Sequence, residues 1–155
     1  MIELTGDLIQ LAKEGKFDIV AHCANCFCTM KRGIAPQMAL AFHCDKFKME
    51  GEGYFGDINK LGNIDYDFNK EHNITVVNMY GQYHFWDKNR KYGIQLDYDA
   101  LRLCLRKVNM LFKSQRIGLP KIGCGLAGGD WNIVKGIIEE ELYECDVYIV
   151  NYTKQ

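Results

Sequence analysis

The stretch Ile117-Gly-Leu-Pro-Lys-Ile-Gly-Cys-Gly-Leu-Ala-Gly-Gly-Asp-Trp131, continued by Asn132-Ile-Val-Lys-Gly-Ile-Ile138, decides how this chain is organised. It opens as a short apolar strand, passes through a turn holding Gly123, Gly125, Gly128 and Gly129, and closes as a helix. Glycine loses more backbone freedom on folding than any other residue. A cluster of glycines is therefore tolerated where the backbone must turn sharply or run close to a ligand. The helix that follows points its unpaired N–H groups back toward the turn, which suits an anion. The stretch reads as a phosphate-cradling loop, with a plain flexible connection as the alternative.

The segments on either side repeat the alternation of strand and helix. Upstream, Met1–Leu4 reads as a strand and Thr5 or Asp7 as the cap of a short helix reaching about Lys13. Phe17–Cys23 is a compact apolar run suited to a central strand covered on both faces. It ends in a loop, Ala24–Gly33, and Ile34–Phe42 follows as helix, with Pro36 tolerated in its first turn. Asn73–Tyr80 is a second β-branched strand, leading into a charged loop at Asp87–Lys91. Asp97 or Asp99 starts a helix with the apolar stripe Leu101, Cys104, Leu105, Val108, Leu111 and Phe112, leaving Arg102, Arg106 and Lys113 to solvent. Asp130 is placed to cap Trp131–Tyr143, and Val147–Tyr152 closes the chain as a strand. Gly51–Lys70, rich in Gly, Asp and Asn, reads as loops with a hairpin-like excursion. This order predicts an α/β fold of three α/β/α layers around a mixed, mostly parallel sheet. Ligands of such sheets sit beyond the carboxyl ends of the strands, where the loops after Cys23, Tyr80 and Leu119 all open.

Composition narrows the function. At 155 residues the chain reads as a single domain, 1–155, with ordinary apolar (48%) and charged (25%) content. A net charge of −1 provides no broad basic field for duplex nucleic acid. No apolar run reaches membrane-spanning length, so no membrane partner is expected. Seven cysteines, an odd number without a secretory leader, imply reduced thiols and a cytoplasmic location. Cys23, Cys26 and Cys28 raise a zinc hypothesis, but no second Cys-x-x-Cys accompanies them, and they read as reduced thiols with no metal and no cofactor.

Several segments together resemble the macro domain, the ADP-ribose-binding fold. They are Gly6-Asp7-Leu8, His22-Cys23-Ala24-Asn25-Cys26, Gly33-Ile34-Ala35, Asn78-Met79-Tyr80-Gly81-Gln82, Tyr98-Asp99-Ala100-Leu101 and Lys121–Trp131. The nearest branch includes the ADP-ribose 1″-phosphate phosphatases and related deglycosylases. Two departures stand out. Lys31 and Arg32 replace the small residues that precede Gly-Ile-Ala in relatives, and Ala127 stands where the deglycosylase branch carries a catalytic aspartate.

The resemblance implies roles for named residues. Asp7 reads the adenine amino group, or is a plain helix cap; Tyr152 stacks on the base, or is a surface aromatic. The Ile122, Gly123, Cys124, Gly125 and Leu126 backbone donates to the diphosphate. Further substrate contacts are implied for Leu8, Ala24, Met30, Lys31, Arg32, Gly33, Ile34, Asn78, Gln82 and Pro120. Asn25 and Asp130 orient the far ribose or a water, with an Asx-turn and a helix cap as their structural alternatives. His22 or His84 is placed to protonate a leaving oxygen, with a packed structural histidine as the alternative for each. The expected function is metal-independent hydrolysis of ADP-ribose 1″-phosphate to ADP-ribose and phosphate. The alternatives are de-ADP-ribosylation and non-catalytic reading of ADP-ribose. Partners are small ADP-ribose derivatives and ADP-ribosylated macromolecules.

Overall fold

A computed structural model describes residues 1–49, 55–85, 95–125 and 127–152. The expected loop at Asp87–Lys91 lies outside these residues, as do Leu126 and the first part of the Gly51–Lys70 segment. Six strands form one sheet in the order β1-β6-β5-β2-β4-β3: β1 Ile2–Gly6, β2 Ile19–Asn25, β3 Ile64–Asn69, β4 Ile74–Gln82, β5 Arg116–Leu119 and β6 Asp146–Tyr152. All pairings are parallel except β3 with β4, a hairpin that accounts for the excursion expected near residue 70.

Helices α1 Leu8–Lys13 and α2 Ala35–Phe42 cover one face. There Leu8, Ile9, Ala12, Met38 and Phe42 pack on Val20, Ile74, Val76 and Val150. Helices α3 Tyr98–Leu111 and α4 Trp131–Glu141 cover the other, where Leu101, Cys104, Leu105, Val134 and Ile138 meet Ile19, Ala21, Val77, Ile117 and Ile149. Odd and even strand residues thus feed separate cores, as the pleat requires. Phe17 lies so close to Gly118 that a Cβ there would sit 2.5 Å from its ring, which explains the glycine inside β5. Asp7, Asp97 and Asp130 each accept a backbone N–H and cap α1, α3 and α4.

The α3 stripe needs one correction. Leu111 is 52% exposed, and the buried position near the end of the helix is Asn109, whose Oδ1 accepts from Glu144 N at 2.9 Å. The helix ends before Phe112, and the last turn swings Leu111 outward while Asn109 ties α3 to the loop before β6. The arginines stay on the outer face and pair with α4, Arg106 through two bonds to Glu141.

Candidate functional site

The carboxyl ends of β2, β4, β5 and β6 share one rim, and two loops rise from it. The first follows β2. Asn25, at the end of that strand, makes three side-chain hydrogen bonds within this loop. Its Oδ1 accepts from Phe27 N (3.0 Å) and Thr29 N (3.2 Å), and its Nδ2 donates to Thr29 O (2.9 Å). Cys28 adopts a left-handed backbone within the turn so formed. The second loop follows β5. Gly129 N donates to Gly123 O (2.8 Å) and Gly128 N to Gly125 O (3.0 Å), folding the turn back on itself. Gly123 has φ +66°, and a Cβ there would lie 2.7 Å from Leu96 Cδ2. Gly125, by contrast, faces open space.

Between the loops runs a two-lobed groove. The first lobe, about 510 Å³, is lined by Cys23, Ala24, Asn25, Met30, Lys31, Arg32, Gln82, Phe85, Ile122, Gly123 and Ala127. The second, about 560 Å³, is lined by Asp7, Leu8, Gln37, Cys124, Asn151 and Tyr152. Gly33, Ile34, Pro120, Lys121 and Gly125 line both and form the waist. The charges are polarised. Among the described residues, the charged side chains lining the first lobe are Lys31, Arg32 and Lys121, all cationic, whereas the second combines Asp7 with Lys121. Cys23, in the wall of the first lobe, is pushed up to about 12 by burial and stays a neutral thiol. Lys121 also lies over the Trp131 ring, 5.7 Å from its centroid.

The structure brings together most of the residues expected to bind, Leu126 lying outside the described residues. It places four others differently. His22 is fully buried three residues before the end of β2. Its Nε2 donates to Asn78 Oδ1 at 2.6 Å, and burial lowers it to about 4, so it is a neutral core residue that does not line the groove. Asn78 is equally buried inside β4, its Nδ2 donating to Cys44 O and Asp65 Oδ1, and it reaches no ligand surface. Both strands run on past the residues expected to end them, which draws His22 and Asn78 into the α2 layer. His84 stacks on Phe27 (4.3 Å) and its Nδ1 accepts from Phe85 N; Phe85, not His84, lines the first lobe. Asp130 is exposed, accepts from Asn132 N (2.8 Å) as the α4 cap, and lines neither lobe.

Several lining residues were given no role in the sequence reading, among them Lys121, Gln37 and Asn151, with Cys23, Thr29, Ala35, Phe85, Ala127 and Val150. Lys121 lies inside the Pro120–Gly125 run already singled out, and Gln37 one turn after Ile34. Asn151 breaks an apolar series, following Val147 and Ile149 on the same face of β6. All seven cysteines are unbridged thiols, and among the described residues no three His, Cys, Asp or Glu side chains gather as a metal site. Nor is any helix among those residues long and apolar enough to cross a membrane.

No protein-family profile matches the chain. A protein of 17.5 kDa from the tk-vs intergenic region of Enterobacteria phage T4, itself uncharacterized, is 31% identical over 96% of this chain and 94% of its own length. The chain belongs to the family of this phage protein. Among solved structures, the macrodomain of Mycobacterium tuberculosis DarG superposes with a TM-score of 0.68 at 20% identity, over 100% of this chain and 99% of that one. Thermosipho africanus DarTG in complex with ADP-ribose gives 0.67 at 16% identity, over 98% of this chain and 41% of that longer one. The fold is therefore a macrodomain fold, in agreement with the strand order and the two rim loops.

Proposed function

We propose that the two-lobed groove binds ADP-ribose and that the chain hydrolyses ADP-ribose 1″-phosphate to ADP-ribose and inorganic phosphate. One observation carries the reading: the polarised groove pinched between Gly33–Ile34 and the Pro120–Gly125 turn. An adenine fits the second lobe, where Tyr152, 66% exposed, offers a ring face and Asp7 an acceptor. The diphosphate crosses the waist beside Lys121 and the open face of Gly125. The far ribose and its phosphate enter the cationic lobe, beside Lys31 and Arg32. A neighbour of the same fold that holds ADP-ribose supports this choice of ligand.

In the reaction, water attacks phosphorus and the bond from phosphorus to the 1″ oxygen breaks. The electron pair stays on that oxygen, which takes a proton, and inorganic phosphate departs. An anomeric oxygen leaves more readily than a simple alkoxide. The protein's contribution is then positioning between the loops and cationic stabilisation of the phosphoryl oxygens. A second reading, a non-catalytic ADP-ribose reader, is favoured by the structural employment of Asn25, His22 and Asp130, all committed to internal hydrogen bonds.

Titration calorimetry with ADP-ribose, followed by a phosphate-release assay on ADP-ribose 1″-phosphate, tests both halves. Binding with release supports the phosphatase, and Lys31→Ala with Arg32→Ala should then slow release more than they weaken ADP-ribose. Binding without release leaves the reader. No binding refutes the whole assignment.

A further inference from the structure

Asn151 is the penultimate residue of β6, paired in register with Thr5 of β1. Strand alternation sends its side chain to the face of Val147 and Ile149, both buried in the core beneath α3 and α4. An apolar residue would continue that series. Instead the side-chain oxygen of Asn151 is buried without a hydrogen-bond partner among the described residues. The same residue lines the second lobe with Cys124 and Tyr152. A buried acceptor left unmade is costly, and a carboxamide that borders a cavity can turn about its terminal torsion to present that oxygen to a donor arriving with a ligand.

We infer that the Asn151 carboxamide oxygen accepts a hydrogen bond from the nucleoside half of the bound ligand. The donor is either the exocyclic amino group of the base or the 2′-hydroxyl of the ribose attached to it. This rests on the ADP-ribose reading of the groove and assigns a specificity determinant beyond Asp7. The two acceptors have different standings: one oxygen of Asp7 is already engaged by Gln10 N at 3.0 Å, whereas the Asn151 oxygen has, among the described residues, no internal partner to release. Asn151 therefore gains a bond on binding without giving one up.

The test compares wild type with Asn151→Leu, a near-isosteric change that deletes the acceptor. Three probes are titrated by calorimetry: ADP-ribose, its hypoxanthine analogue, which lacks the amino group, and its 2′-deoxyadenosine analogue, which lacks one ribose hydroxyl. Asn151→Leu should bind ADP-ribose about tenfold more weakly. One analogue should lose a similar factor on wild type and nothing further on Asn151→Leu. The hypoxanthine analogue in that position identifies the amino donor, and the deoxy analogue identifies the hydroxyl. The melting temperature of Asn151→Leu should equal or exceed that of wild type, because an unpartnered acceptor is replaced by an apolar group. A residue serving only the fold would lower it instead. If leucine does not fit, Asn151→Ala supplies the same comparison. The inference is overturned if the variant binds ADP-ribose as wild type does, or if both analogues keep their full penalty in the variant. Absence of ADP-ribose binding by wild type would instead bring down the proposed function, and this inference with it.

Discussion

Gly123 and Gly125 stand two residues apart in one turn, yet alanine should act in opposite directions at the two. Gly123 has φ +66°, a region that costs an L-residue about 1–2 kcal/mol. A Cβ there would also lie 2.7 and 2.8 Å from the Leu96 methyls and 3.1 Å from its Cγ. Leu96 is 4% exposed within the α3–α4 core, so it has little room to retreat, and overpacking of this kind costs about 1–3 kcal/mol. Gly123→Ala should therefore destabilise by about 2–4 kcal/mol, a fall in melting temperature of roughly 5–15 °C for a chain of this size. At Gly125 the backbone is outside the left-handed region and an added Cβ meets nothing within 4 Å. Gly125→Ala should leave the melting temperature unchanged or raise it by up to about 1 kcal/mol equivalent, through lost freedom of the unfolded chain. Its methyl would project into the waist of the groove, and ADP-ribose affinity should fall about tenfold or more. Thermal unfolding and calorimetry on both variants check this. An unchanged melting temperature for Gly123→Ala would refute the packing argument. Full affinity in Gly125→Ala would refute placement of the diphosphate at the waist.

Burial of His22 ties stability to pH with a definite sign. Its folded value of about 4 lies below the unfolded value near 6.5, so the unfolded chain binds the proton first. Stability should fall as pH drops from about 6.5 to about 4, at up to about 1.4 kcal/mol per pH unit, and His22→Gln should flatten that slope in urea titrations. Asp18, held below the usual carboxylate range by its hydrogen bonds to Arg116, acts at still lower pH. Asn25→Ala removes three side-chain hydrogen bonds from the first loop and should cost about 2–3 kcal/mol, read from chemical unfolding, and weaken ADP-ribose binding as the loop loosens. Asp130→Ala removes only a helix cap, costing about 1 kcal/mol by thermal unfolding, with ADP-ribose affinity unchanged by calorimetry.

The fold was legible because its signals are local. Apolar runs of strand length, aspartate caps at 7, 97 and 130, and the glycines that follow β5 each specify an element without reference to its neighbours. Both rim loops were legible for the same reason. What stayed hidden depends on where a strand stops relative to its partners. His22 and Asn78 pair directly in the β2–β4 register, and a bulge between Ala24 and Asn25 carries the ladder on to Gln82. That extension moves the open edge of the sheet past both residues, and only the pairing partner determines it. Leu111 was misplaced on similar grounds, since a helical stripe does not announce which turn is its last. Asn109 and Asn151 are polar residues at core positions, a signal present in the sequence whose meaning depends on three-dimensional surroundings.

The groove also separates two demands that one residue cannot meet together. A side chain that shapes a loop must spend its hydrogen bonds internally, and a side chain that moves protons must keep one free. Asn25 has spent both acceptor positions of its oxygen and one N–H of its amide, and Asp130 is engaged as a cap. What the first lobe presents instead are the cationic side chains of Lys31, Arg32 and Lys121 together with Ala24, Ile122 and Ala127. Cations on long stems hold an anion by charge. A site so built accelerates chemistry only where charge stabilisation and placement suffice, as when a phosphoryl group leaves an anomeric oxygen. Replacement of Lys121 by methionine, which keeps the stem and deletes the charge, should then weaken ADP-ribose and flatten the salt dependence of its binding together. Loss of one effect without the other would mean that the waist holds its ligand by packing and not by charge.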